Sequence, residues 1–177
     1  MSNWNKIFKP IVVLCVICIV ITGALAATNS VTKPIIDEAT RLAQENARKE
    51  LLPDADSFTK IDGVEVANVS DVYVADNGVG TVVTSSGKGY GGDVVVMTAF
   101  TPEGTIKQIK VTEQAETQGI GSKVAGNADF WTRFEGLEAK PLTLGVDVDA
   151  QTGATISSRA LTNAVNSAIE AYNAVNS

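Results

Sequence analysis

The sequence predicts an α+β protein, with one N-terminal transmembrane helix followed by a single domain in which an antiparallel sheet is flanked by helices. Three observations predict it. Residues 10–27 contain no charged side chain. Short Val-rich segments between residues 72 and 111 are each bounded by Gly, Asn, Asp or Pro, which is strand and turn punctuation. In the C-terminal segment Leu161, Val165, Ala168, Ile169 and Tyr172 recur at helical spacing. A chain of 177 residues with 45% hydrophobic content has enough apolar material for one real core plus a short extra element.

Residues 1–9 are a short basic head: Lys6 and Lys9 precede the apolar run, and Trp4 and Phe8 fall where an inner membrane interface would lie. The run 10–27 approaches the ~20 residues that a helix needs to cross a hydrocarbon core. Polar Thr28, Asn29 and Ser30 follow it, so the positive-inside rule places the N-terminus in the cytoplasm and the bulk of the chain outside, as a single-pass inner-membrane protein. A cleaved signal peptide competes with this reading, because Ala24-Leu25-Ala26 matches a small-x-small cleavage pattern. The apolar run is longer than the ~7–15 residues usual in such peptides, which favours an anchor. Cys15 and Cys18 fall three apart on one face of the span. They serve there either as small hydrophobes or as ligands to a metal or cluster shared with a neighbouring membrane subunit.

Residues 28–53 read as a helical connector. Thr32 is placed as its cap and Pro34 in its first turn; Ile35, Ile36, Ala39, Leu42, Ala43 and Ala47 form its apolar side, and Pro53 ends it. Charges such as Glu45 and Lys49 are a solvated face. Residues 54–177 form the outer domain. Its strands are expected at 72–74, 80–84, 93–100 and 106–111, joined by turns at Asp76-Asn77-Gly78 and at Thr101-Pro102-Glu103-Gly104, with Val94-Val95-Val96-Met97 in a buried central strand.

Two glycine-rich loops lie between these strands and the last helix. Gly87-Lys88-Gly89-Tyr90-Gly91-Gly92 either lets a flat or phosphorylated ligand approach the backbone or simply closes a hairpin. No helix follows it, so it is not a dinucleotide-binding fingerprint. The second loop, Thr112 to Gly121, is polar, and its acids are either solvated or line a site. Three aromatic residues between Asp129 and Phe134 read as a short element packed on the sheet, with Trp131 the candidate for stacking on a cofactor ring.

Composition removes several chemistries. The net charge of -6 and the absence of a basic cluster argue against a nucleic-acid partner. There is no histidine and no cysteine outside the apolar run, so a Ser-His triad, a zinc site and a soluble disulfide framework are all excluded. Any redox work requires a bound cofactor.

The chemistry then concentrates at Asp149-Ala-Gln-Thr-Gly-Ala-Thr-Ile-Ser-Ser158. Thr152, Thr155, Ser157 and Ser158 crowd a helix start, where unpaired N–H groups and the positive end of the helix dipole favour an anion such as phosphate. Capping residues before an ordinary helix would look the same. The distinguishing feature is the density of these groups, with a hydroxyl on each side of Gly153-Ala154, an acid at Asp149 and a Ser pair after Ile156; Gly and Ala leave Thr155 sterically open, as an acceptor that another protein modifies must be.

These segments together resemble a known family. The N-terminal span, Gly89-Tyr90-Gly91-Gly92, Glu116-Thr117-x-Gly119-Ile120-Gly121, Phe134-x-Gly136 and Asp149-x-x-Thr152-Gly153-Ala154-Thr155-x-Ser157-Ser158 are similar to the G subunit of the Rnf electron-transport complex. The soluble part of that family is an FMN-binding domain, shared with the C subunit of the Na+-translocating NADH:quinone reductase. The resemblance implies that a flavin transferase moves FMN from FAD to the second Thr of the last motif, here Thr155, through a phosphodiester bond. It implies flavin contacts from Asp149, Thr152, Gly153, Ala154, Ser157 and Ser158 around that bond. It also implies contacts from Glu116, Thr117, Gly119 and Tyr90 elsewhere, to which the aromatic cluster adds Trp131 as the stacking candidate, with no catalytic side chain and no metal ligand. Where many relatives carry Pro and His near the Glu-Thr pair, this chain has Gln118 and Gln114.

The implied function is that of a covalent-FMN electron carrier in a membrane translocase. The complex would couple electron transfer between ferredoxin and NAD to movement of Na+ or H+, with its other subunits as partners and no turnover by this chain alone. The alternatives are a subunit of the quinone reductase, an independent outer-face reductase, and a non-redox membrane-anchored assembly module.

Overall fold

The computed structural model describes residues 8–119 and 121–176, so Trp4, Lys6 and Ile120 lie outside the described residues. The chain divides into two compact units, Met1–Ala43 and Gln44–Ser177.

Helix α1 (Lys9–Leu51) is 43 residues long. In its most apolar 18-residue stretch no residue is buried, and its length and composition are those of a membrane-crossing helix. The break expected near Thr28 to Thr32 does not occur, and Thr32 is an interior residue rather than a cap. The Thr28 and Ser30 hydroxyls donate to the carbonyls of Ala24 and Ala26 at 3.0 and 2.9 Å, four residues back, so these polar side chains are satisfied within the helix. Pro34 removes one bond, the one its N–H would have made to the Ser30 carbonyl, and the helix runs on past it.

The second unit is built on a five-stranded antiparallel meander: β1 (Phe58–Ile61), β2 (Val69–Ala75), β3 (Thr81–Lys88), β4 (Asp93–Phe100) and β5 (Ile106–Gln114), in that spatial order. β4 lies between β3 and β5, which accounts for its run of valines. Several features differ from the expectation: β2 starts at Val69, and β3 runs on through Lys88, so Gly87 and Lys88 belong to a strand paired with Val94 and Asp93 rather than to a loop. β1 is an additional edge strand, paired from Phe58 opposite Ala75 to Ile61 opposite Val72. β5 continues through Thr112, Glu113 and Gln114, because Val95 and Val94 at the start of β4 pair with Glu113 and Gln114, with Thr112 at a bulge. Their polarity reflects an edge position rather than a loop.

Side-chain alternation sends successive residues to opposite faces. Val82, Met97 and Ala99 meet Ala47, Leu51 and Leu52 at the C-terminal end of α1. There the half-buried Tyr73 ring lies 4.0 Å beneath the Arg48 guanidinium, a cation–π contact that adds to the packing. On the other face Val83, Val94, Val96 and Phe100 join Leu161, Val165 and Ile169 of the last helix, α4 (Thr155–Asn176). Each of those three α4 side chains is almost wholly buried, which contributes roughly 1.5–3 kcal/mol apiece.

Two contacts set how closely α4 lies on β3. Gly87 has no side chain to hold the helix off, since a Cβ there would lie 2.0 Å from the Ala160 carbonyl oxygen. The buried Ser85 hydroxyl donates to the Ala164 carbonyl at 2.8 Å. Between β5 and α4 the chain makes two short helices, α2 (Ser122–Ala125) and α3 (Ala128–Trp131), and a 3-10 turn (Thr132–Phe134). Phe130 and Phe134 from this aromatic cluster are fully buried against the core, as a packing element would be.

Candidate functional site

The start of α4 is held by a small set of bonds. Gly153 takes φ +80°, a conformation that side-chain-bearing residues rarely adopt, and turns the chain into the helix. The Ala154 N–H donates to the Gln151 carbonyl at 2.9 Å, and the Ala154 carbonyl accepts the first helical bond, from the Ser158 N–H, at 2.9 Å. Ser158 is fully buried; its hydroxyl donates to the Ala154 carbonyl and accepts the Gln151 N–H, both at 3.0 Å. Upstream, the Arg133 guanidinium donates to the Asp149 carbonyl at 2.8 Å. The stretch from Asp149 to Ala154 is thus braced at both ends.

This bracing leaves Thr155 and Ile156 exposed in the first turn, and no hydrogen bond engages the Thr155 hydroxyl among the described residues. The N–H groups of Thr155, Ile156 and Ser157 have no carbonyl four residues back within the helix, so the positive end of a 22-residue dipole is open here. Next to it lies a cavity of about 430 Å³ lined by Tyr90, Gly153, Ala154, Thr155, Ile156 and Ser157. These lining residues include no ionisable acid or base that is charged near neutral pH. An anion attached at the helix start would therefore meet backbone donors and dipole rather than an opposing carboxylate.

Of the residues singled out by sequence, the fold brings Tyr90, Gly153, Ala154, Thr155 and Ser157 to one cavity wall. Tyr90 comes from the loop between β3 and β4, closed by the Gly89 N–H on the Gly92 carbonyl at 2.9 Å, so this glycine-rich segment is a hairpin end as well as a wall. Asp149 and Thr152 are exposed in the preceding turn, and Ser158 lies beneath the wall as a brace. Glu116 is behind the wall, where its carboxylate accepts the Tyr90 N–H at 2.8 Å. Thr117 and Gly119 shape the turn after β5: the Thr117 carbonyl accepts the Gly121 N–H at 3.1 Å, and the Gly119 N–H donates to the Ser122 hydroxyl at 2.9 Å. Trp131 is not on the wall; its indole N–H donates to the Val124 carbonyl at 3.0 Å and its ring packs against the core.

Ile156 is the wall residue that sequence reasoning passed over. It is 55% exposed, and Tyr90 is 71% exposed, so two large apolar surfaces stand open on the same wall as a small hydroxyl. The available signal was that Ile156 lies off the apolar stripe formed by Leu161, Val165 and Ile169. Arg133, which braces Asp149 through a backbone carbonyl, had no sequence signature.

Comparison with known proteins covers both units. Residues 1–51 match the RnfG N-terminal region, and residues 89–170 match the FMN-binding domain, a span that contains every residue of the cavity wall together with Glu116. The chain is 34% identical to the G subunit of the Na(+)-translocating ferredoxin:NAD(+) oxidoreductase complex of Acetobacterium woodii, covering 96% of this chain and 93% of that protein. It is 31% identical to the G subunit of the proton-translocating ferredoxin:NAD(+) oxidoreductase complex of Clostridium ljungdahlii, with 96% and 93% covered. It is also 31% identical to the G subunit of the ion-translocating oxidoreductase complex of Methanosarcina acetivorans, with 96% of each chain covered. Matched along its long apolar helix, its cavity and nearly its full length, the chain belongs to the family of G subunits of ion-translocating, Rnf-type oxidoreductase complexes.

Proposed function

We propose that this chain is the flavin-carrying G subunit of a membrane complex that couples electron transfer between ferredoxin and NAD to ion translocation, with FMN joined through its phosphate to Thr155. The observation that carries this reading is the unengaged Thr155 hydroxyl at the start of α4, beside an open cavity. The residues present fit the group. The N–H groups of the first turn offer donors to a phosphodiester's anionic oxygens, and Gly153 and Ala154 leave the approach to the hydroxyl clear. The exposed Tyr90 and Ile156 side chains offer apolar surface to a flat ring.

In maturation the Thr155 Oγ1 would be the acceptor for the flavin-side phosphorus of FAD: an Oγ1–P bond would replace the P–O bond to AMP, which would leave, and the hydroxyl proton would pass to the flavin transferase. The braces from Ser158 and Arg133 present the acceptor in one conformation, so little ordering is needed when the transferase binds. Bound FMN supplies the one- and two-electron redox states that no side chain of this protein offers. The protein's part is to hold the anion at a helix start and to keep the carrier at high local concentration on the outer side of the membrane, anchored by a single span with its N-terminus in the cytoplasm. The isolated chain turns nothing over; its partners are the complex's other membrane subunits. The similarity along nearly the whole length to proteins named as G subunits of such complexes favours this reading over a quinone reductase or an independent reductase.

The test is intact-mass analysis after co-expression with a flavin transferase. The wild-type chain is expected to gain the mass of FMN less one water, Thr155→Ala to gain nothing, and Thr155→Ser, which keeps a hydroxyl, to be modified in part. Undiminished covalent flavin in Thr155→Ala would reject the attachment site.

A further inference from the structure

Two glycine-rich segments remote in sequence meet behind the cavity wall, and a single carboxylate joins them. Glu116 is 8% exposed. Its Oε1 accepts the backbone N–H of Tyr90 at 2.8 Å, while Oε2 is buried and has no hydrogen-bond partner among the described residues. Glycines close around both oxygens: a Cβ at Gly89 would lie 1.8 Å from Oε1, and a Cβ at Gly121 would lie 2.0 Å from Oε2. At Gly91 a Cβ would lie 2.3 Å from the Ala115 carbonyl oxygen. The missing side chains of the hairpin loop are thus complementary to Glu116 and Ala115, not to a ligand.

A buried carboxylate with an unused acceptor is unfavourable in itself, so the contact it does make is its structural role here. That contact is to the one loop residue whose side chain reaches the cavity wall. Glu116 does not line that wall, and its buried Oε2 faces Gly121, where a Cβ would lie 2.0 Å from it.

We infer that Glu116 is a positioning residue for the flavin site: by holding the Tyr90 N–H it fixes the β3–β4 loop so that Tyr90 stands at the Thr155 cavity, and it does not itself touch what the cavity holds. The inference rests on the flavin reading of Thr155. It predicts that Glu116→Gln works, because an amide keeps an oxygen for the Tyr90 N–H at the same length. Glu116→Ala fails because it removes the acceptor, and Gly89→Ala fails because it displaces the carboxylate.

The experiment uses the full chain in detergent after co-expression with a flavin transferase, and has two arms. The first is amide hydrogen exchange in fragments covering residues 87–93, which needs no flavin. Exchange at Tyr90 is expected to speed up by about 10- to 100-fold in Glu116→Ala and in Gly89→Ala, and to stay at the wild-type rate in Glu116→Gln. Where the Ala variant does not fold, Glu116→Asp, one methylene shorter, gives the same comparison. The second arm is the fluorescence anisotropy of the attached flavin, expected to fall equally in Glu116→Ala and Tyr90→Ala, with no further fall in the double variant. Unchanged Tyr90 exchange in Glu116→Ala overturns the inference, and so does an effect of Glu116→Ala on anisotropy that persists at full size in the Tyr90→Ala background. A wild-type chain without flavin rejects the Thr155 reading and with it the flavin role of Glu116, while the exchange arm still decides whether Glu116 holds Tyr90.

Discussion

Gly87 in β3 and Gly153 before α4 are glycine for opposite reasons. At Gly87 a Cβ would lie 2.0 Å from the Ala160 carbonyl oxygen and 2.8 Å from its carbon, both backbone atoms of α4. At Gly153 nothing lies within 4 Å of a Cβ, but the backbone stands at φ +80°. The first position is selected by space, because the helix backbone rests directly on the strand. The second is selected by conformation, because the chain turns sharply there into α4 and leaves Thr155 exposed. One kind of residue therefore both seats the helix that carries the site and opens the site at that helix's end.

The largest effect is expected at Gly87. Because the opposing atoms are backbone and cannot rotate away, Gly87→Ala should destabilise the domain by about 3 kcal/mol, the upper end of overpacking costs, in thermal unfolding of the detergent-solubilised chain. A near-neutral Gly87→Ala would mean that α4 can lift off β3 cheaply, and the contrast would fail. At Gly153, Ala should cost about 1–2 kcal/mol through left-handed backbone strain alone, and Asn should recover most of that loss because it tolerates this conformation. An equal loss for Ala and Asn would show that space, not φ, selects glycine there.

Ser158→Ala removes the hydroxyl that holds the Gln151 N–H and should cost about 1 kcal/mol. It should also slow flavin attachment to Thr155, since the acceptor stretch loses one brace; the initial rate of mass gain measures this. The smallest effect lies at the far end of the sheet and serves as a control. The Ser57 and Thr59 hydroxyls donate to the Asp76 carboxylate and hold it below the ordinary value of 3.8. A group whose folded value is depressed adds stability that is present above the unfolded value and is lost as pH falls through the folded one. Acid titration of stability should therefore show a step below about pH 4 that Asp76→Asn abolishes, with no change at the cavity.

Much of the domain was legible in the sequence because its strands are Val-rich and punctuated by turn residues. β4 is the clearest case: its run Asp93 to Phe100 is bounded by Gly92 and by the Thr101-Pro102 turn. β1 was not legible. Phe58-Thr59-Lys60-Ile61 has only four residues, and its apolar ends do not alternate; pairing with β2 makes it a strand. Thr112 to Gln114 misled for the related reason that hydrogen bonding to a neighbouring strand, not apolar content, extends β5. The polar stretch from Thr28 to Thr32 resembled a helix boundary, yet the Thr28 and Ser30 hydroxyls bond back along the helix and the backbone continues.

At the site, Thr155 and the small pair before it were visible locally, since helix starts and open hydroxyls depend on neighbours within a turn. The sharing of one cavity by Tyr90 and Thr155 was not visible, because β4, β5 and both short helices lie between the two residues in the chain. Likewise Glu116 looked like a solvated or ligand-facing acid until burial among glycines assigned it to the Tyr90 loop.

The sequence by itself determined the apolar span, the Val-rich strands from β2 to β5, the final amphipathic helix and the Thr155 hydroxyl at its start, because each depends on periodicity or on side chains a few residues apart. Only the tertiary structure decided which side chains wall the cavity, why the glycines are where they are, and what Glu116 holds. Those depend on distances between elements far apart in the chain, and such distances are fixed only when the faces of the sheet have been packed.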